Sequence, residues 1–284
     1  MDVLKTVAEL RDWNRANGGN RPRVLVPTMG ALHDGHLSLC DIARKKAGMT
    51  GTIVTTIFVN PTQFGPNEDL DAYPRPLEAD LEKCRSHGVD AVFAPSDNSE
   101  IYASDASISI SETSLSNHLC GASRPTHFSG VCTVVAKLFN LTQPDAAVFG
   151  EKDFQQLAII RRLVRDLNLP VEIIAGTTVR ESDGLAMSSR NAYLSPQARA
   201  QAPIIRQALG HAAATIQQGK FDESIGLVRK TIESAPLAKI DYIEIVDAET
   251  LQPISNLESG RPARIAAAVF FGKTRLIDNI GVEF

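Results

Sequence analysis

Over its first two-thirds the chain alternates between two hydrophobic periods, and this constrains the fold more than any other feature. Apolar, β-branched runs appear at RVLVPT (23–28), GTIVTTIFVN (51–60), VDAVFAP (89–95), DAAVFG (145–150) and VEIIAGTTV (171–179). Between them lie helical patterns from about Gly35, at LEADLEKCRSHG (77–88), at GVCTVVAKLFNLTQ (130–143) and at FQQLAIIRRLVRDLN (154–168). Strands separated by helices predict a parallel sheet with helices on its faces. Such a doubly wound α/β architecture places ligands beyond the carboxyl ends of its strands.

After Val179 the pattern changes. RESDGLAMSSRNAYLSP (180–196) is polar, with Gly and Ser, and reads as a loop and hinge. Ser195 and Pro196 form a helix cap and first turn leading into QARAQAPIIRQALGHAAATIQQ (197–218). A second helix at DESIGLVRKTIESA (222–235) precedes strands at IDYIEIVD (240–247), RIAAAVFF (264–271) and TRLIDNIGVE (274–283). The expected division is a larger domain over 1–179 and a smaller C-terminal α+β domain over 180–284. With 284 residues, 43% of them hydrophobic, the chain can bury a core for both.

Composition excludes several classes. The net charge is -4 and the 29 Lys and Arg are scattered, whereas a nucleic-acid binder gathers them into a patch. The start, MDVLKTVAELRDWNRANG, reads as a short amphipathic helix and not as a secretory leader, and no apolar run approaches the roughly 20 residues of a membrane span. Cys40, Cys84, Cys120 and Cys132 form no CxxC pair and fit a reducing compartment. These features predict a soluble cytoplasmic protein with neither nucleic acid nor membrane as partner.

Four polar, Gly-containing segments follow strand ends or open the tail. In VPTMGALHDGHLSL the strand stops at Pro27 and His33 and His36 flank a helix start, where backbone N–H groups and the helix dipole favour phosphate. Two imidazoles three positions apart can donate to one phosphate chain as charge develops. The same residues also allow one His to cap while the other packs, and a zinc site would want a spacing of four and a third ligand. In FVNPTQFGPNEDLDAYPR, Asn60, Pro61 and Gln63 end an apolar strand, and a neutral amide suits a small polar substrate; an ordinary solvated turn is the competing reading.

In VFGEKDFQQL, Gly150 lets backbone approach a nucleotide, Lys152 offers a point charge, Asp153 an acceptor for ribose hydroxyls, and Gln156 lies one turn on. In GLAMSSRN, Ser188, Ser189 and Arg190 place two hydroxyls and a guanidinium near Gly184, enough to close over a triphosphate. Taken singly, each segment is also compatible with a solvated helix start or a Ser-rich loop. There is no GxxxxGK[ST] loop, no GxGxxG after a strand and no GxSxG elbow, which argues against P-loop ATPases, dinucleotide oxidoreductases and serine hydrolases.

Together PTMGALHDGH, FVNPTQFGPNEDLDAYPR, RPTHFSGV, GEKDFQQL and GLAMSSRN resemble, in order and spacing, the pantothenate synthetase (pantoate–β-alanine ligase) family. The resemblance runs from about Val24 to the last strands. It implies a Rossmann-like sheet of the nucleotidyltransferase type with a C-terminal lid, a homodimer, and a two-step reaction. Pantoate would attack ATP with Mg²⁺ assistance to give pantoyl adenylate and pyrophosphate; β-alanine would then displace AMP.

By the same resemblance Met29, Gly30, Ala31, Leu32, His33, Asp34, Gly35 and His36 would line the ATP site, with His36 the proton donor and His33 its partner. Gly150, Glu151, Lys152, Asp153, Val179, Met187, Ser188, Ser189 and Arg190 would complete it, with Lys152, Ser188, Ser189 and Arg190 on the phosphates. Gln63 and Gln156 would hold pantoate, Gln63 would border β-alanine, and Asn60 and Arg124 match further positions near the substrates. Where some members carry two adjacent aspartates, this chain has Ala79 and Asp80, so Asp80 is left unassigned and the metal ligands unknown. An enzyme transferring AMP or CMP to a phosphorylated acceptor, and a nucleotide-binding regulatory module, are the rival readings.

Overall fold

The computed structural model describes residues 1–66, 68–217, 221–254 and 261–282. In chain order its elements are β1 (Asp2–Leu4), α1 (Val7–Ala16), β2 (Arg23–Thr28), α2 (Asp34–Ala47), β3 (Thr52–Ile57), α3 (Leu77–Ser86), β4 (Ala91–Phe93), α4 (Leu119–Ser123) and α5 (His127–Thr142). There follow β5 (Ala146–Gly150), α6 (Phe154–Asp166), β6 (Glu172–Gly176), α7 (Pro196–Gln201), α8 (Ile204–Gln217), α9 (Phe221–Glu233), β7 (Ala238–Asp247), β8 (Ala263–Phe271) and β9 (Thr274–Val282). The fold is α/β: a six-stranded parallel sheet with helices, and a small C-terminal three-stranded antiparallel sheet. Among the described residues no helix is long and apolar enough to cross a membrane.

Two compact units emerge, and they interleave along the chain. The first comprises 1–112, 126–151 and 159–177; the second comprises 113–125, 152–158 and everything from Thr178 on. In the first, the strand order is β1-β4-β3-β2-β5-β6, so the direction of winding reverses between β2 and β5. Their ladder stops at Leu25↔Ala147 although β2 runs on to Thr28 and β5 to Gly150. The two strands therefore part at their carboxyl ends, which is where a doubly wound sheet opens a ligand crevice. Val24, Val26, Ile53, Val92, Ala146 and Val148 pack with Leu39, Cys40 and Cys84 in the core of this unit.

At the opposite end of β2, Arg23 is 1% exposed. Its guanidinium donates to Thr142 O at the end of α5 and to Asn14 O and Asn17 O at the end of α1. Helix C-termini leave carbonyls unsatisfied and carry negative partial charge, so one cation closes both.

The second unit builds its core from Leu185, Ile205, Leu209, Ile216, Val228, Ile232, Ile265 and Val269, with β7-β8-β9 as an antiparallel meander. Ser195 caps α7 through Ala198 N and Pro196 takes the first turn, as the sequence predicts.

Three expectations need correction or limits. The chain does not begin as a helix: Asp2–Leu4 pairs in parallel with β4, and the helix starts only after Thr6, where a capping box with Glu9 sets its first turn. The helix expected over 197–218 is two helices, α7 and α8, because Pro203 has no N–H to continue the first. Asn67, Gln218 and Glu283, within the segments expected at 58–75, 197–218 and 274–283, lie outside the described residues.

One glycine sets how closely α5 approaches the turn after β3. A Cβ at Gly130 would stand 2.4 Å from Thr62 O and 2.7 Å from Gln63 N, both backbone atoms. Gly130→Ala would gain about 1 kcal/mol of helix propensity, but backbone cannot yield as a side-chain tip can, and overpacking costs about 1–3 kcal/mol. The clash should win, with a net loss of roughly 1–2 kcal/mol in urea denaturation. An unchanged midpoint would mean that the turn adjusts freely.

Candidate active site

The connection from β2 to α2 is built backbone first. Thr28 Oγ1 donates to Thr56 O at 2.7 Å and accepts from Gly30 N at 3.2 Å. Gly30 and Ala31 then take positive φ, +84° and +49°, a region that costs a non-Gly residue energy unless its surroundings hold it there. The holding group is Asp80 on α3, which is fully buried. Its carboxylate accepts from Ala31 N and from Leu32 N, both at 2.8 Å. Lys83, one turn on, donates to Leu32 O at 2.5 Å. Burial holds the Asp80 carboxyl above its ordinary range, against the two amide bonds and the Lys83 ammonium, which pull it down.

This bracket sets where α2 begins. His33 is its N-cap and His36 the third residue of its first turn, with ring centroids 4.1 Å apart. His36 Nδ1 accepts from His33 N at 3.4 Å, so in the neutral ring Nε2 carries the proton and is the donor. His33, Gly35 and His36 are half-buried and Asp34 is exposed. The backbone just before the helix is already committed: Ala31 and Leu32 N–H point at Asp80, which leaves the imidazoles and the start of α2 as the candidate phosphate donors.

The same unit gathers the amide residues. Gln63 is 9% exposed, in a single 3-10 turn, Pro61–Gln63, and its Nε2 donates to Met29 Sδ at 2.9 Å. Asn60 is 1% exposed; it donates to Gln63 Oε1 and Gly130 O, and accepts from Tyr102 and Thr62 hydroxyls. His127 Nδ1 donates to Gln63 O at 2.9 Å. Asn60, Tyr102 and His127 therefore fix the Gln63 amide against Met29. Gly150 closes β5 next to β2, with Glu151 following it, both half-buried.

In the second unit, Lys152 and Asp153 follow in another 3-10 turn, with Lys152 Nζ 3.7 Å from the Asp153 carboxylate. The next two glutamines diverge. Gln155 is buried and its Nε2 donates to Leu115 O and His118 O, whereas Gln156 is half-buried on the first turn of α6. Val179 O accepts from Met187 N, and Arg180 bridges Ala186, so 179–187 is a narrow hairpin turning at Gly184, φ +90°. It delivers Ser188, whose hydroxyl caps Arg190 N, with Ser189 and Arg190 in the 3-10 turn that follows. Arg124 ends α4 and is half-buried.

Lys83, Tyr102 and His127 were not singled out by the sequence reading, and Asp80 was named there but left without a role. Only His127 had a local signal, inside RPTHFSGV; the others act through long-range contacts. Among the described residues no three His, Cys, Asp or Glu side chains cluster as a metal site, and Asp80 is spent on amides. The described residues thus show no protein cage for Mg²⁺, and such a cation would be held through substrate phosphates, its usual mode. Burial pushes the Cys40 and Cys132 thiols up to about 11 and Cys84 up to about 12, far from nucleophilic thiolates.

Removing the bracket should be costly. Asp80→Ala leaves two buried N–H groups without an acceptor, and Asp80→Asn offers one of them an NH₂ instead. Each should lose roughly 2–4 kcal/mol in urea denaturation; wild-type midpoints in both variants would show that the 30–32 turn holds itself.

A sequence profile of the pantoate-beta-alanine ligase family matches residues 2–281. The pantothenate synthetase of Akkermansia muciniphila is 56% identical over 261 residues, 90% of this chain and 91% of that protein. That of Myxococcus xanthus is 49% identical over 281 residues, 98% and 95% of the two chains. The crystal structure of pantothenate synthetase from Thermus thermophilus superposes with a TM-score of 0.92 at 44% identity, covering 100% of both chains. Pantoate-beta-alanine ligase from Francisella tularensis, crystallised with beta-gamma ATP and beta-alanine, gives 0.80 at 34% identity over 99% of this chain and 97% of that one. The chain belongs to the pantoate–β-alanine ligase family and is an ATP-dependent ligase.

Proposed function

We propose that this enzyme makes pantothenate from (R)-pantoate, β-alanine and ATP through a pantoyl-adenylate intermediate, with release of pyrophosphate and then AMP. The observation that carries the proposal is the pairing, in one unit, of two adjacent imidazoles at a helix N-terminus, their rings tilted by 37°, with a fixed, neutral Gln63 amide. A triphosphate and a small hydroxy acid need those two kinds of surface. The names and bound ligands of the relatives support the same substrates.

In the first step a pantoate carboxylate oxygen attacks the α-phosphorus and the bond to the bridging oxygen breaks, so pyrophosphate leaves with the electron pair. His36, donating from Nε2 with His33 beside it, stabilises the charge on that chain. Lys152, Ser188, Ser189 and Arg190 hold the phosphates, with Met29 to Gly35, Gly150, Glu151, Asp153, Val179 and Met187 lining the nucleotide. Mg²⁺, carried on ATP, neutralises charge when bound.

In the second step the β-alanine nitrogen attacks the acyl carbon, the acyl–oxygen bond breaks, AMP departs and the nitrogen loses a proton. Gln63 and Gln156 hold pantoate, with Gln63 bordering β-alanine. Asn60 acts through Gln63, and Arg124 lies near the substrates. No side-chain nucleophile is needed, in keeping with the buried thiols. The assignment of 1–179 to nucleotide and pantoate, of 180–284 to a lid, and of the enzyme to the cytoplasm belongs to the same proposal.

The purified chain incubated with ATP, Mg²⁺ and pantoate should release one equivalent of pyrophosphate, then turn over to AMP and pantothenate once β-alanine is added. Release of pyrophosphate only with a phosphorylated acceptor would instead identify a nucleotidyltransferase. His36→Ala should bind ATP within a few-fold of wild type and form the adenylate roughly two to four orders of magnitude more slowly; normal turnover would remove His36 from the mechanism.

A further inference from the structure

Strand β9 carries two adjacent polar residues, Asp278 and Asn279, that are 4% and 6% exposed. Side chains of neighbouring strand residues leave opposite faces of a sheet, and each of these reaches a different phosphate-side segment. Asp278 receives Arg180 in a bidentate pair, Nη1 to Oδ2 at 2.7 Å and Nη2 to Oδ1 at 2.9 Å. Arg180 Nη1 also donates to Gly184 O at 3.1 Å, closing the hairpin that delivers Ser188 to Arg190. Asn279 Nδ2 donates to Lys152 O at 3.0 Å, while its Oδ1 accepts from Arg264 Nη1 at 3.0 Å. The two are linked in turn, since Asn279 N donates to Asp278 Oδ1 at 2.8 Å.

One unbroken chain of hydrogen bonds therefore runs from the Gly184 carbonyl to the Lys152 carbonyl within the second unit. Burying a carboxylate and an amide is a poor way to gain stability, because apolar residues of similar size often do as well. A paired, fully bonded network does fix relative position, since every member has a directional partner.

We infer that Asp278 and Asn279 are positioning residues for the ligase reaction: they hold Lys152 and the Ser188–Arg190 segment at one spacing, so that both meet the same triphosphate. The inference rests on the phosphate roles proposed above. It explains why β9, otherwise an edge strand of a small meander, carries a buried polar pair.

The test is a double-mutant cycle on pyrophosphate release with ATP, Mg²⁺ and pantoate. Asn279→Asp is isosteric and keeps the acceptor for Arg264 but turns an oxygen toward Lys152 O; Asn279→Ser is a second, uncharged variant. If Asn279 acts through Lys152, either variant should lower the rate constant of the first-turnover pyrophosphate burst on the order of 10- to 100-fold in the wild-type background and within about threefold in Lys152→Ala. Thermal midpoints measured alongside separate misfolding from misplacement, and the variant that stays folded at the assay temperature decides. Equal fold-losses in the two backgrounds, or no loss in the first, would overturn the inference. A silent wild type would instead sink the ligase reading, and a fully active Lys152→Ala the role of Lys152.

Discussion

The turn after β2, and the helix that follows it, depend on one buried carboxylate. Asp80 accepts the N–H groups of Ala31 and Leu32, and with them holds two consecutive residues in the left-handed region. Without that anchor the turn after β2 would have no reason to keep a conformation that costs on the order of 1–3 kcal/mol at Ala31. Because the turn is held, α2 begins just after its N-cap His33, and the cap and first turn present two imidazoles together. Because the turn's amides are spent on Asp80, they cannot cradle phosphate as a Gly-rich loop does. On the proposed reading, charge stabilisation would thereby fall to side chains rather than to backbone.

Next to this donor surface the unit keeps a neutral one. Asn60 and Gln63 are adjacent amides in a buried turn, tied by Tyr102, His127 and the Gly130 carbonyl. Each tie consumes a hydrogen-bonding group of the turn itself, so what remains of the Gln63 amide is held in one orientation against Met29. A fixed amide discriminates by the cost of leaving a buried donor or acceptor unmatched, a larger effect than any added methylene contact. The absence of formal charge in this turn also matters to the proposed reaction: a pantoate carboxylate held there would stay free to act as nucleophile rather than being locked in an ion pair.

Much of this was legible in the sequence, and the reasons for the misses are physical. Apolar runs of strand length between helical repeats identify β2, β3, β4 and β5 because those strands are buried and their pattern is local; the half-buried edge strand β6 is read from its β-branched run. β1 has only three residues and leads directly into an amphipathic helix, so its apolar residues merged with the helical period; the Thr6…Glu9 capping box was the signal that separated them. The break at Pro203 was likewise on view but outweighed by the repeat on either side. Neighbouring Gln155 and Gln156 cannot be told apart by residue type, since a helix sends them to different faces, and only the fold shows which face is the core. Asp80 lies invisible to any local reading, because its partners sit 48 and 49 positions away.

The polar groups whose roles escaped the sequence reading share a property: each satisfies backbone rather than meeting solvent. Asp80 bonds amides, Lys83, Asn279 and Gln155 bond carbonyls, and His127 bonds the Gln63 carbonyl. A side chain that pins main chain fixes everything attached to it, and reaches a site from a distance without touching a ligand. The proposed adenylate step would need this more than reactive side chains, since the attacking carboxylate and the leaving pyrophosphate would supply the bonds that change. What the protein must supply is alignment of acid, phosphorus and donors, worth several kcal/mol when geometry is held within a fraction of an ångström. A ligase of this kind would therefore spend its buried polar residues on holding main chain in place, and these are the residues that motif reading alone does not find.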